Sequence, residues 1–337
     1  MNTDLALQLR AWAKKQSALL MIFGAVLLGF LFPAPARLEG LVSLDTLTTI
    51  GIALIFFLHG ANLAPKVFLS GVAAWRLHLL VQSSTYVAFP AIGALVYFAG
   101  EPWLSADARL GFFFLTALPS TISSAVALAA TAGGQVPGAV FNASLSNLAG
   151  LLITPALIAL IGQAGDTQFD VLSAVIGIAK IVLLPFAVGQ AARPLIKAQL
   201  AKYKPFLSAV DRGVILLIVF KAFAETGAAG TWSRFSPADY LGAMALAGLL
   251  LAIAFAALPP VARAMGLKDD EQITALFCGG TKSLATGAPM AQILFAGLPS
   301  VGIIMLPLLI YHPAQLVLGA AVAQRYAERR SKAAAPV

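Results

Sequence analysis

The chain has 337 residues, of which 60% are hydrophobic and only 11% are charged. Soluble domains carry about 25% charged residues, so this composition excludes a soluble multidomain protein and indicates that lipid is the solvent. The formal net charge of +8 is typical of the basic cytoplasmic loops of a membrane protein and gives little weight to nucleic-acid binding.

The first predicted element follows a basic N-terminus. Arg10, Lys14 and Lys15 precede an apolar run from Ser17 to Phe32, and the next residues, Ala34-Pro35-Ala36, resemble a signal-peptidase site. The run is therefore either a cleaved signal peptide or a retained first membrane helix. We favour retention because the internal repeat of the chain requires this helix.

Ten apolar segments follow one another along the chain. A helix that crosses a bilayer needs about 20 mostly apolar residues, and charged or Gly/Pro-rich stretches separate the segments. The first five predicted spans lie near 16–33, 45–64, 73–99, 108–131 and 136–162. The second five lie near 170–191, 206–225, 237–261, 271–296 and 299–324.

The basic residues support this count of spans. If the N-terminus is cytoplasmic, 16 of the 22 Lys and Arg residues fall on the cytoplasmic side. The opposite side receives only Arg37, Arg109 and Arg234. This bias is what the positive-inside rule predicts. We therefore expect an integral protein of the cell (inner) membrane with both termini in the cytoplasm.

The two halves of the chain share an internal repeat. The repeated features, 158 to 161 residues apart, are the T-x-S-x-A motifs that begin at Thr121 and Thr281 and the proline pairs Pro33 with Pro194 and Pro155 with Pro313. They predict that residues 1–165 and 166–337 are two five-helix units. Because five is odd, the second unit is inverted relative to the first, as in many secondary transporters.

The fourth and ninth spans, which match in the repeat, are both interrupted. The interrupting residues are Pro119 and Gly133-Gly134 in span four, and Gly279-Gly280, Gly287 and Pro289 in span nine. Proline removes a backbone donor and glycine weakens a helix. Freed backbone groups at membrane depth are tolerated only where protein or a water-filled cavity satisfies them. The breaks therefore predict a binding site for an ion or a substrate.

Four stretches of the sequence resemble one known family. LPSTISSAVALAATAGG, FNASLSNLAGLLITPALI, VDRGVILLIV and FCGGTKSLATGAPM are similar to the bile acid:sodium symporter superfamily, and more narrowly to its SBF-like branch. The resemblance covers nearly the whole chain. It implies an all-α membrane protein of ten helices in a core and a panel domain, with the two broken helices crossing near the membrane centre and with alternating access.

The chain departs from the sodium-coupled members of that family. They place Ser-Asn after the break of span four and a glutamate in span nine. Here Ser124 matches the serine, but Ala125 replaces the asparagine and span nine has no acid. The resemblance still implies a sodium site at Ser124, Asn142, Ser146 and Asn147, of which the last three share one helical face. Gln82 matches a glutamine of the family in span three.

Lys282 lies in the break of span nine, where the resemblance implies that the two broken helices cross and where the family carries polar residues. A charged lysine at mid-membrane costs about 2.5–3.5 kcal/mol on insertion scales, which an acidic partner, loss of the proton or a bound anion would offset. Asp211 is the acid placed clearly within a span, and Arg212 is its nearer partner in sequence. We therefore hypothesise that Lys282 takes the place of a cation. It then either loses its proton when desolvated, giving a proton-linked cycle, or binds an anionic substrate directly.

Most other polar residues of the spans are interpreted as structural residues and not as ligands. Lys221 is expected to extend to the membrane interface, and Lys180 is ambiguous. His59 and His312 are more typical of packing or hydrogen-bonding residues than of ligands. The sequence has no HExxH, GxSxG or P-loop motif, and its single cysteine, Cys278, excludes a disulfide framework and a Cys/His metal cluster. We therefore predict that the protein is not an enzyme.

The sequence thus predicts a secondary transporter of a small organic solute, anionic or amphipathic, with membrane lipid as its surroundings and no cofactor beyond a coupling sodium ion or proton. The predicted ligands are Gln82, Ser120, Thr121, Ser123, Ser124, Asn142, Ser146, Asn147, Thr281, Lys282, Ser283 and Thr286. Two alternatives stay open: a sodium symporter with a reduced sodium site, and a membrane regulator that keeps the fold but does not transport. An intramembrane enzyme ranks lowest.

Overall fold

The computed structural model describes residues 17–37, 39, 43–63, 74–164 and 176–334. Regular structure within these ranges is helical, and they contain no β-strand. The predicted all-α class is therefore confirmed for the described residues. Arg10, Lys14, Lys15, Lys66 and the first residues of the predicted sixth span lie outside them.

Twelve α-helices are present in the described residues. The first six are α1 (Ser17–Leu31), α2 (Leu44–Asn62), α3 (Trp75–Ala99), α4 (Ala106–Ala117), α5 (Ser123–Ala132) and α6 (Val136–Ala164). The other six are α7 (Ile176–Lys202), α8 (Lys204–Ala228), α9 (Pro237–Ala264), α10 (Asp269–Gly280), α11 (Leu284–Leu294) and α12 (Val301–Ala334). Helices α3 and α7 each contain one turn of π-helix, Ser84–Ala88 and Ala179–Leu183.

Six of these helices are long and apolar enough to cross a membrane, namely α2, α3, α6, α7, α9 and α12. The outer surface of the helices is apolar as well. Phe23, Leu95 and Leu160 are all more than half exposed. An outward-facing apolar surface of this kind is what lipid, rather than water, would surround.

The helices pack as two groups. The four-helix group consists of α1, α2, α7 and α8, in which α2 packs on α7 and α1 packs on α8. The eight-helix group consists of α3–α6 and α9–α12. Helix α8 makes the most extensive contact between the groups, against α11 and α12.

Two glycines allow the closest packing within the four-helix group. A Cβ atom at Gly60 of α2 would overlap the carbonyl oxygen of Phe186, and one at Gly189 of α7 would overlap the carbonyl oxygen of Phe57. Any side chain at either position would push the two helices apart, since backbone atoms cannot move aside as a flexible side chain can. The α2–α7 pair is therefore fixed as one unit.

Both interruptions predicted from the sequence are present. Helix α4 ends at Ala117 and α5 begins at Ser123, while α10 ends at Gly280 and α11 begins at Leu284. Pro119 has no N–H to continue α4, and the Ser120 N–H donates to the Ser146 hydroxyl instead of to the helix (3.0 Å). In the second break Thr281 adopts an extended backbone with φ −110° and ψ 150°.

Candidate functional site

The two helix breaks contact each other inside the protein. The Ser283 N–H donates to the carbonyl oxygen of Pro119 (2.9 Å). The hydroxyl oxygens of Ser120 and Thr281 lie 3.2 Å apart. Both of these side chains are fully buried. This contact thus brings polar residues of the two breaks together.

The break between α4 and α5 leaves the backbone carbonyls of residues 116 to 120 without their helical hydrogen bonds. Each of these carbonyls accepts a hydrogen bond from another donor. The pairs are Thr116 and Leu118 with Lys282 Nζ (2.6 and 2.7 Å), Ala117 with Thr154 Oγ1 (2.7 Å), Pro119 with the Ser283 N–H (2.9 Å) and Ser120 with Asn147 Nδ2 (2.6 Å). Buried backbone groups are almost always paired in native proteins. Side chains of α6 and residues of the second break therefore complete the hydrogen bonding that α4 loses.

Lys282 is fully buried and donates to three backbone carbonyls. Besides the two carbonyls at the end of α4, its Nζ reaches the carbonyl of Thr85 at 3.3 Å and lies 4.9 Å from the ring centre of Phe89. These contacts use all three donors that the amino group has when it is protonated. The C-terminal end of α4 also carries partial negative charge, which favours a cation there. Among the described residues, Lys282 forms no ion pair with a carboxylate.

The π-helical turn of α3 explains why the Thr85 carbonyl is available. In this turn the Phe89 N–H bonds to Ser84, one residue further back than in an α-helix. The corresponding partner of Thr85 would be residue 90, which is a proline without an N–H. Pro90 thus leaves a carbonyl free at membrane depth, and Lys282 pairs with it.

Helix α12 fixes the backbone of Lys282. The Gln315 side chain accepts from the Lys282 N–H (2.7 Å) and donates to its carbonyl (2.8 Å), and it also donates to His312 Nδ1 (2.9 Å). One turn earlier, the Tyr311 hydroxyl donates to the Gly280 carbonyl (2.7 Å). Sequence reasoning missed Tyr311 and Gln315. The available signal was a pair of polar groups four residues apart in the first half of the helix, which is apolar apart from them and His312.

The predicted residues of α6 divide between two surroundings. Asn147 lies at the break, where its Oδ1 accepts from the Thr286 hydroxyl (2.6 Å), and Ser146 caps Ser120. Asn142 lies one turn away and pairs with Gln82, whose Nε2 donates to the Asn142 carbonyl (3.2 Å). The Oε1 atom of Gln82 is buried and accepts no hydrogen bond among the described residues. Gln82 is therefore a predicted ligand whose side-chain oxygen is still available to accept a hydrogen bond or bind a cation.

A cavity of about 340 Å³ opens beside the crossing, between the two helix groups. The predicted site residues in its lining are Thr121, Ser123, Asn147, Ser283 and Thr286. Helices α5 and α11 both begin at this cavity. The free N–H groups of a helix N-terminus carry partial positive charge, so two such ends favour a negatively charged group in the same space. Lys282, Ser124 and Ser120 do not line the cavity.

The four-helix group contributes His59 and Asn62 of α2 and Asp211 of α8 to the same cavity. His59 Nε2 and Asp211 Oδ1 lie 3.4 Å apart. One expectation from the sequence is thereby corrected. Asp211 pairs with His59 rather than with its neighbour Arg212, because α2 and α8 bring together residues that are far apart in the chain.

A second cavity of about 480 Å³ lies at the other end of the junction between the groups, near the start of α2 and the end of α11. Lys221 of α8 lines it and is buried. Its Nζ contacts Asp45 (2.7 Å), Glu225 (3.1 Å) and the Gln292 side-chain oxygen (2.7 Å). The expectation that Lys221 extends freely to the membrane interface is wrong, because these three partners hold its amino group between the helices.

Comparison with known proteins gives one consistent family. A sequence model described as the SBF-like CPA transporter family matches residues 16–328. An uncharacterized protein of Pseudomonas aeruginosa is 41% identical over 94% of both chains, and the Escherichia coli protein named as symporter YfeH is 38% identical over 91% of both. Sodium/bile acid cotransporter 7 of Mus musculus is 30% identical over 81% of both chains.

Proposed function

This chain belongs to the SBF-like CPA transporter family, and on that premise we propose that it carries a small amphipathic organic anion across the membrane by alternating access. It is an integral membrane transporter of the bile acid:sodium symporter superfamily and not an enzyme. A single observation carries the proposal: α5 and α11, the second helices of the two interrupted pairs, both begin at one cavity between the two helix groups.

The architecture we propose has ten membrane spans. The pairs α4/α5 and α10/α11 each form one interrupted span, so the twelve described helices correspond to ten crossings. Residues 1–165 and 166–337 are then inverted repeats. This assignment is supported by the packing, because the four-helix group contains the first two spans of each half and the eight-helix group contains the last three of each half.

The substrate class follows from the lining of the first cavity. Two helix N-termini and the hydroxyl of Ser123 suit a carboxylate, sulfonate or phosphate group. Leu63, Ile122 and Val140 provide apolar surface for the rest of the solute. A volume of about 340 Å³ lies within the range of about 300–1,000 Å³ that is usual for small-molecule sites.

Lys282 acts, in this proposal, as a tethered cation at the crossing. Its ammonium group is held by backbone carbonyls, as a bound metal cation would be, and its three donors are all used. It therefore positions the two breaks instead of contacting the substrate. Of the two roles open at the level of sequence, direct binding of the substrate anion has the less support, since Lys282 lies outside the cavity lining.

Alternating access is supported by the presence of cavities at both ends of one junction. Asp45 in the second cavity and His59 in the first are 14 residues apart on α2, which is about 20 Å at the rise of an α-helix. Rocking of the four-helix group against the eight-helix group would close one cavity and enlarge the other. Transporters with inverted repeats work in this way around a fixed site.

We propose that the protein lies in the inner membrane and that both of its termini lie in the cytoplasm. The end of α9, the start of α10 and the end of α12 meet at one side of the molecule, where Arg263, Arg329 and Arg330 line a third cavity. Arg330 also donates to the Gly133 carbonyl at the end of α5. Positive charge collected on one side favours that side as the cytoplasmic one.

Sodium symport is the second candidate function, and one observation favours it. Gln82 Oε1 is buried beside Asn142 and accepts no hydrogen bond among the described residues. In addition, two relatives that are 31% and 30% identical to this chain are named sodium/bile acid cotransporters. The predicted sodium ligands Ser146 and Asn147 are already engaged with the first break. We therefore place sodium second to a proton as the coupling ion.

The test uses taurocholate, a bile acid conjugate whose sulfonate stays ionised, with the purified protein and a thermal-shift readout. A ligand that binds only the folded state stabilises it by about 2.7 kcal/mol at 100 times its Kd. We expect saturable stabilisation that Ser123→Asp removes, because the new carboxylate would occupy the helix N-terminus and repel the anion. Thr131→Asp, at the exposed far end of the same helix, is the matched control. Equal binding by both variants would contradict the proposed site.

A further inference from the structure

His59 and Asp211 are the two titratable side chains in the lining of the first cavity. They come from different helices, α2 and α8, and their side chains are 35% and 30% exposed. At 3.4 Å the two atoms form an ion pair when His59 is protonated. Asp211 Oδ1 is enclosed and accepts no hydrogen bond among the described residues. The carboxylate therefore depends on His59 for compensation.

The surroundings of the pair offer no other compensating charge. Helices α5, α6 and α11, which form the rest of the lining, carry no charged residue. The charged side chains on the adjoining stretches of α7 and α8 are Arg193, Lys197 and Arg212, and none of them pairs with Asp211 in the described part of the chain. Lys282, at the crossing, is bound to carbonyls.

We propose that the His59–Asp211 pair binds the coupling proton of this transporter. The proton comes from water on the side to which the cavity is open and binds the imidazole of His59, while no bond of the solute changes. Imidazole is the side chain whose unperturbed charge changes between about pH 5 and 8. This inference rests on the proposed function and assigns the coupling ion to residues different from Lys282.

Electrostatics couples this proton to an anionic solute. With His59 neutral, the Asp211 carboxylate repels an anion that enters the same cavity. With His59 protonated, the pair is neutral overall and the repulsion is removed. Because binding linkage is reciprocal, the proton then increases affinity for the anion, and the anion increases affinity for the proton. The cavity therefore favours symport of a proton with an anion.

The first experiment measures taurocholate binding by thermal shift at pH 6 and pH 8. We expect at least about fivefold tighter binding at pH 6, the lower limit of usual coupling between sites. His59→Gln should bind weakly at both pH values, whereas Asp211→Asn should bind tightly at both, because its repelling charge is gone. Arg212→Gln, an exposed neighbour outside the lining, should behave like the unchanged protein. A pH dependence that persists in His59→Gln would overturn the proposal.

The second experiment reads proton binding without any solute. The chain has three histidines, so protein labelled with ¹⁵N-histidine gives three imidazole environments. The signal lost in His59→Gln should report proton binding when the pH is lowered, and it should respond to Asp211→Asn. An imidazole at His59 that does not titrate, or that ignores Asp211→Asn, would refute the assignment. If taurocholate binds to none of the variants, the proposed substrate class is wrong. The ¹⁵N signal of His59 then still decides whether the pair binds a proton.

Discussion

Lys282 shows how one side chain can join two interrupted helices. Its amino group pairs with carbonyls of Thr116 and Leu118 that the break at Pro119 has freed, and its own backbone is held by Gln315. The end of a helix and a π-helical turn supply the amino group with the carbonyl oxygens that water would otherwise provide.

Replacing Lys282 with methionine would leave three buried carbonyls without a donor. Each unsatisfied buried group costs about 1–3 kcal/mol, so we expect the free energy of unfolding to fall by about 2 kcal/mol or more and transport to be lost. Thermal denaturation and uptake into proteoliposomes measure the two effects. Lys180→Met, at an exposed position of α7, is the control that removes the same charge. Unchanged stability would show that the carbonyls do not need the amine.

Single residues of the site were predictable where the chemistry is local. Gly279-Gly280, Pro119 and the hydroxyls beside them indicated the breaks, because such residues weaken a membrane helix wherever they stand. His59 and Asp211 were not predictable as a pair, since they are 152 residues apart and only the packing of α2 on α8 brings them together. Tyr311 and Gln315 had a local signal in their spacing, but their partners, Gly280 and Lys282, depend on packing.

Helix α8 is the element that connects the two groups. Near its end Lys221 pairs with Asp45 of the four-helix group and, through Gln292, with α11 of the eight-helix group. In the proposed rocking motion, widening of the second cavity would break the contact with Gln292. The sequence predicted the helix itself from its apolar length, but not this link, because the partners of a buried lysine are a tertiary property.

Lys221→Met should therefore favour the state in which the second cavity is open. A loss of about 1.4 kcal/mol across the junction changes the ratio of two states tenfold. Thr49→Cys reports on the second cavity and Asn62→Cys on the first, and the native Cys278 is buried. With Lys221→Met we expect faster maleimide labelling of Thr49→Cys and slower labelling of Asn62→Cys. Equal rates with and without Lys221→Met would argue against a gate at this link.

At the scale of the whole molecule, each of the two helix groups draws on both halves of the chain. The internal repeat predicted two units along the chain, whereas the helices pack as a four-helix and an eight-helix group that each draw on both halves. A repeat in the sequence specifies which elements correspond but not which of them pack together. The grouping depends on close contacts such as Gly60 with Phe186, which no periodicity reveals.

Movement of one group against the other can be tested with a covalent link. A Cβ atom placed at Gly302 of α12 lies 3.3 Å from the Cβ of Thr226 of α8, close to the lower end of the Cβ–Cβ range of disulfides, about 3.5–4.5 Å. Oxidised Thr226→Cys/Gly302→Cys protein should therefore join the two groups and lose transport, and a reductant should restore it. The measurement is solute uptake before and after reduction.

The matched control links two helices within the four-helix group. A Cβ atom at Gly51 of α2 lies 3.4 Å from the Cβ of Val214 of α8, so Gly51→Cys/Val214→Cys places a second disulfide at nearly the same spacing. Because α2 and α8 would move together, this link should leave transport in place. If both disulfides stop transport, the chemistry of cross-linking is responsible. If neither does, the two groups do not rock against each other at α8 and α12, and the cavities at the two ends of the junction would need another explanation.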